Sequence, residues 1–164
     1  MFKLLSTANP KTQKGVAKGY LTFIMHLAPA DLSGYETCPK RTAGCSAACL
    51  NTAGRGGMFK KGTNTNSVQQ ARIRKTKWFF EDRRGFMLEL LHDIRKAIRF
   101  ARKRGLTPVF RLNGTSDLAW EKYTVDGYNV FELFPDVQFY DYTKVLGRKV
   151  ADYPNYHLTF SRAE

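Results

Sequence analysis

The residues best equipped for chemistry are the three cysteines, all within Thr37-Cys38-Pro39-Lys40-Arg41-Thr42-Ala43-Gly44-Cys45-Ser46-Ala47-Ala48-Cys49-Leu50. Six residues separate Cys38 from Cys45, and three separate Cys45 from Cys49. Pro39 and Gly44 keep the first half a loop. The small residues from Cys45 onward suit a helical turn, which puts Cys45 and Cys49 on one face. With Cys38 folded back over them, three thiols converge on one point, as a soft metal or an iron–sulfur cluster requires. A [4Fe–4S] cluster held by Cys38, Cys45 and Cys49 leaves one iron open to a further ligand. A structural zinc needs a fourth ligand, for which His26 and His92 are the candidates. Incidental buried thiols, or one disulfide with a leftover thiol, are the plainer readings of the same residues.

The elements that must position this loop follow from the apolar pattern. Residues 19–29, aromatic and β-branched between a glycine and a proline, read as a buried strand feeding straight into the cysteine loop. Before it, residues 2–18 read as polar, with a turn at Asn9-Pro10 and exposed charge at Lys11, Lys14 and Lys18. Asn66 followed by Gln69 marks a helix start, and the helix runs over 67–82. A second helix runs over 84–104, burying Met87, Leu91, Ile94, Ile98 and Ala101, and Gly105 ends it. Three more strands are expected at 107–112, 137–140 and 156–160. Ser116 or Asp117 caps a short helix through Leu118 to Glu121.

Strands joined by connections of this length are parallel. The fold class expected is therefore α/β, one domain over residues 1–164. It is a parallel sheet of about four strands with helical crossovers, like half or part of a TIM-type barrel. Such a barrel typically takes about 250 residues, so the chain reads as a short or truncated version. Each strand ends in polar residues, and that edge is where α/β proteins build their sites. Asp117, Asp141 and Lys144 are the candidate catalytic residues. Asn113, Ser116, Arg55 and Arg162 are the candidate substrate contacts. The glycines at 54, 56 and 57 beside Arg55 would let the backbone approach a ligand closely.

Lysine and arginine number 27 against 14 acids, a formal charge of +13, which favours a polyanionic partner. Arg72, Lys75, Arg95, Arg99 and Arg102, on the two successive helices, are the candidate nucleic-acid contacts. No apolar run is long enough to span a bilayer, so no membrane partner is expected. An odd cysteine count without a secretory cleavage pattern points to a reducing cytoplasm. An open sheet edge after the last strand would allow self-association.

Five stretches carry a resemblance that spans nearly the whole chain. They are Leu4-Leu5-Ser6-Thr7-Ala8-Asn9-Pro10-Lys11-Thr12, the cysteine loop through Gly54-Arg55-Gly56, Arg111-Leu112-Asn113-Gly114-Thr115-Ser116-Asp117, Phe139-Tyr140-Asp141-Tyr142-Thr143-Lys144, and Asn155-Tyr156-His157-Leu158-Thr159-Phe160-Ser161. On these the chain resembles the phage gene product 88 family, which implies ancestry rather than an activity and would place the protein in the cytoplasm of an infected cell. More loosely, a three-cysteine loop after the first strand of a parallel α/β fold is similar to radical S-adenosylmethionine enzymes, although those space their cysteines by three and then two residues. That likeness implies a [4Fe–4S] enzyme, with S-adenosylmethionine as co-substrate, modifying a nucleic acid or nucleotide. The competing readings are a non-catalytic nucleic-acid-binding protein with a structural metal at the cysteines, and a magnesium-dependent nuclease using Asp117, Glu121 and Asp141.

Overall fold

The computed structural model describes residues 2–7, 10–59 and 66–162. The sheet has five strands: β1 (Leu5–Ser6), β2 (Tyr20–Met25), β3 (Thr107–Arg111), β6 (Gln138–Thr143) and β7 (Tyr156–Phe160), in the order β1-β2-β3-β6-β7. The four long strands are parallel, with Phe23 beside Phe110, Phe110 beside Phe139 and Phe139 beside Tyr156. The expected parallel pairing of the 110 and 139 strands is thus observed. β1 adds an antiparallel edge, Leu5 opposite Met25. Both β1 and β7 are edges, so the sheet does not close into a barrel.

Strands that neighbour one another in chain order, joined by right-handed crossovers, put their connections on one face of a sheet. The row Phe23, Phe110, Phe139 and Tyr156 lies on that covered face, each 5% exposed or less. Neighbouring rings along it sit 5.3 and 5.4 Å apart, and Phe131 stacks on Tyr156 at 4.0 Å. Helix α4 (Ser67–Glu81) and helix α5 (Arg83–Arg102) form the long crossover between β2 and β3. α5 buries Phe86, Met87, Leu90, Leu91, Ile94, Ala97 and Ala101. Its expected face is therefore right, with Ile98 only partly covered. The sheet's other face is more open: Tyr20 and Tyr142 are about half exposed, and His157 and Thr159 are exposed.

Capping residues set the helix ends. Asn66 accepts from the Gln69 N–H at 2.9 Å, as its spacing implied. Asp82 accepts from the Gly85 N–H at 2.9 Å, separating two helices that would otherwise be continuous. Gly105, at φ 68, turns the chain out of α5 into β3.

Three local readings need correction. The segment before β2 is not merely polar: Leu4 and Leu5 are buried, Leu5 lies in β1, and α1 (Pro10–Val16) follows. Asp93 draws that segment in by accepting from the Leu4 and Leu5 N–H groups. The expected turn at Asn9 and the Lys11 side chain lie outside the described residues. Second, residues 118–121 form no side-chain-capped helix. A 3₁₀ turn covers Trp120–Lys122, and the Ser116 hydroxyl donates to Asn113 instead. Third, β6 runs on through Thr143, so Asp141 lies within a strand rather than at its tip. A hairpin of β4 (Thr124–Val125) and β5 (Tyr128–Asn129), turning at Asp126-Gly127, precedes α6 (Val130–Leu133). Both turn residues have positive φ, as this tight turn requires. Among the described residues no helix is long and apolar enough to cross a membrane.

Candidate functional site

β2 delivers the chain to a short helix α2 (Ala30–Ser33), and Gly34, at φ 80, turns it back. Thr37 is fully buried there. Its hydroxyl donates to the Ala28 carbonyl at 3.1 Å, and its carbonyl accepts from the Asp117 N–H at 2.7 Å. One threonine thus ties the start of the cysteine loop to the ends of β2 and β3. Arg41 bridges Asp31 at 2.7 Å and Glu36 at 3.2 Å across the base of the loop. Thr42 caps α3 (Ala43–Ala47), accepting from the Cys45 N–H and donating to the Cys45 sulfur, both at 3.1 Å.

Beside the loop lies a cavity of about 600 Å³ at the C-terminal edge of the parallel strands. Cys38, Cys45 and Cys49 all line it, as do Asn113, Ser116, Asp117, Lys144 and Arg162. All three cysteines are free thiols. Their surroundings differ. Burial pushes the Cys38 thiol up to about 11, with Asp117, Cys49 and Glu36 adding to the shift against a hydrogen bond to Thr37. Cys45 is shifted the other way, below the ordinary thiol value, first by the Thr42 hydroxyl and backbone, then by the Lys144 ammonium. Among the described residues, no group of three or more His, Cys, Asp or Glu side chains is arranged to hold a metal ion. The three thiols share a cavity without being gathered to one point. The donor set nonetheless suits a soft metal, being three thiols on one short loop. His92 is exposed on α5, and His26, at the end of β2, joins no ligating group either.

The polar strand tips turn out to be mostly structural. Asn113 is 2% exposed, and its Oδ1 accepts from the Ser116 hydroxyl, the Leu118 N–H and the Trp120 indole N–H. Its Nδ2 donates to the Leu118 carbonyl and Asp141. A side chain so fully engaged shapes the cavity wall and has little left for a substrate. Asp141 does not line the cavity. It is 1% exposed beneath it, accepting from the Asn113 N–H at 2.8 Å with Arg111 at 3.9 Å. Burial raises its carboxyl to about 7, against lowering by the Asn113 N–H and by Arg111 and Arg148. Asp117 does line the cavity, but its Oδ2 accepts from the Lys144 N–H at 2.8 Å and its Oδ1 lies 3.5 Å from Arg148.

In the sequence Arg148 is one of several cations in a connector. Its side chain is 5% exposed and also binds Glu121, through Nε at 3.0 Å, and the Tyr156 hydroxyl at 3.2 Å. No local signal marks it, because Tyr156 lies 8 residues away, Glu121 27, and Asp117 farther still. The carboxylates expected of a magnesium nuclease are thus engaged within the chain: Asp117 and Glu121 pair with Arg148, and Asp141 is buried.

Other expected contacts are relocated. Arg55 is exposed and does not line the cavity. The neighbouring glycines do allow close approach, but to the chain's own backbone: a Cβ on Gly56 or Gly57 would collide with the Asn51 or Thr52 carbonyl. Arg72 and Lys75 are not surface cations. Arg72 is 9% exposed and donates to the Asn51 carbonyl and side-chain oxygens at 2.8 and 2.9 Å, while Lys75 donates to the Leu4 carbonyl at 3.1 Å. Burial, and then Arg72, lowers the Lys75 ammonium to about 8. Arg95, Arg99 and Arg102 are exposed along one face of α5. That helix ends beside the start of β3, at the sheet edge opposite the cavity.

Residues 3–164 match the family described as gene product 88, and the chain belongs to that family, the phage family its motifs resemble. No curated protein and no solved structure matches, so the looser likeness to radical S-adenosylmethionine enzymes gains no support.

Proposed function

We propose that this gene product 88 protein is an enzyme whose cysteine loop holds a thiolate-ligated [4Fe–4S] cluster, and that it modifies a nucleotide or nucleic-acid substrate in the adjoining cavity. One observation carries the reading. All three thiols line a single cavity, at the edge of a parallel sheet where such folds place their chemistry. Cys38, Cys45 and Cys49 would hold the group, and three thiolates would leave one iron free for a small-molecule ligand, S-adenosylmethionine being the one to test. The chain's own residues prepare the site unequally. Thr42 and Lys144 favour the Cys45 thiolate, whereas Cys38 must lose a proton from a buried position. Loading is therefore expected to draw the 38–49 loop together and to release protons. Asp117, fixed by Lys144 and Arg148, would present its cavity-facing edge to the substrate.

Anaerobic purification followed by iron, sulfide and zinc analysis tests this. A brown protein absorbing at about 400 nm, with iron and sulfide, supports it. Zinc without iron would replace it with a structural metal site.

A second reading, nucleic-acid binding without catalysis, is favoured by the exposed stripe Arg95, Arg99 and Arg102 on a chain of charge +13. Arg72 and Lys75 take no part in that surface.

A further inference from the structure

We propose that Arg111 and Asn51 form a subsite in the cavity wall for the oxyanion group, phosphate or carboxylate, of a small ligand. Arg111 is a cation within a sheet, flanked by Ile24 on β2 and reaching into the cavity. Its buried Nε has no hydrogen-bond partner among the described residues. Its nearest carboxylate, Asp141 at 3.9 Å, already accepts from Asn113. The guanidinium is steadied by the Tyr142 ring, its centre 5.0 Å from the ring centroid, and not by an acceptor. A planar guanidinium held in this way is suited to paired oxyanion oxygens.

Asn51 supplies the second donor. It is 1% exposed and lines the same cavity. Arg72 donates to its Oδ1, which fixes the amide's orientation and leaves Nδ2 as a buried donor without a partner among the described residues. Orphaned buried donors are uncommon in folded proteins, and an oxyanion would satisfy both of these. The surroundings are positive. Arg72 forms no carboxylate ion pair among the described residues, and Arg72, Lys75 and Arg111 all bear on His26, which burial and these three cations hold neutral, down to about 3. Asp93 faces Lys75 and Asp141 faces Arg111, and Asp141 is itself partly protonated near neutrality. The subsite does not depend on what the thiols bind.

The test is a titration of the full chain with inorganic phosphate and, separately, with acetate at low ionic strength, followed by the NMR signals of the Asn51 side-chain amide and the Arg111 Nε–H. Saturable shifts with phosphate only, acetate only or both support the subsite and identify the group it takes. Arg111→Gln is expected to weaken binding at least about tenfold, and Lys103→Gln, which removes an exposed charge at the end of α5, less than about twofold. Asn51→Asp keeps the acceptor for Arg72 but removes the free donor, and is likewise expected to weaken binding at least about tenfold; it serves as the readout should Arg111→Gln fail to fold. A Cys38/Cys45/Cys49→Ser variant should bind as the wild type does, which separates this subsite from the fate of the proposed cluster. No saturable shift with either anion, or equal weakening by R111Q and K103Q, would overturn it.

Discussion

Asp141 and Asn113 illustrate how a polar residue near a strand end can serve the fold before it serves a ligand. Asp141 is almost wholly buried, and its carboxyl is raised from 3.8 to about 7 chiefly by that burial. Between these values the folded protein keeps a proton that the unfolded chain releases, so stability falls as pH rises through that window. The cost is absent below about pH 4 and complete above about pH 7. His26, lowered from 6.5 to about 3, has the opposite sign, costing stability as pH falls below 6.5. The wild-type curve mixes the two, and the difference from Asp141→Asn isolates the first. Urea unfolding from pH 4.5 to 8 should show D141N gaining on the wild type as pH rises, and a pH-independent difference would contradict the assignment.

The sequence marked these residues because polar groups follow apolar strands. It could not separate a cavity-facing carboxylate from one turned inward. That distinction rests on β6 continuing to Thr143, which leaves Asp141 on the same face as Phe139. Arg111 carries no such mark for the converse reason: a single charge in an apolar strand looks incidental until the face it occupies is known. The clustering of the three cysteines, by contrast, is visible in the chain itself, and all three do line one cavity.

Among the elements, the connector between β6 and β7 does more than link strands. Through Arg148 it neutralises Asp117 and Glu121, from the β3–β4 connection, and holds the Tyr156 hydroxyl of β7. Replacing one partner of a buried ion network leaves the others uncompensated, typically at a cost of about 3–5 kcal/mol. Arg148→Met is expected to lose stability of that order in urea unfolding. A loss below about 1 kcal/mol would mean the network is solvated rather than structural.

The four parallel strands and both long helices were legible because each carries its own period, cap or breaker: Asn66 before α4, Gly105 after α5, and apolar runs between turns. β1 was not, because two residues carry no period, and only Asp93, 88 and 89 residues away, shows why the chain is drawn in there. The β4–β5 hairpin carries a signal readable in the sequence, Asp126-Gly127, which the strand assignments above leave unused.

For the molecule as a whole, charge and chemistry are separated. The cavity and its thiols sit at one edge of the sheet, and the exposed stripe of α5 runs toward the other. If that stripe binds nucleic acid, removing phosphate contacts flattens the salt dependence, each contact contributing a log–log slope of about −0.7 to −0.9. Arg95→Gln, Arg99→Gln and Arg102→Gln together should therefore weaken DNA or RNA binding and reduce the slope by roughly two to three. Wild-type binding that is absent at low salt, or unchanged in the triple variant, would leave the stripe as a solvated surface.

The thiol loop carries the central claim, and the most direct measurement is the iron and sulfide content of anaerobically reconstituted protein beside Cys38→Ser, Cys45→Ser and Cys49→Ser. The expected result is about four iron and four sulfide per chain in the wild type, with marked loss in each of the three variants. Iron retained by any one variant at the wild-type level, or none bound by the wild type, would contradict a cluster held by these three cysteines.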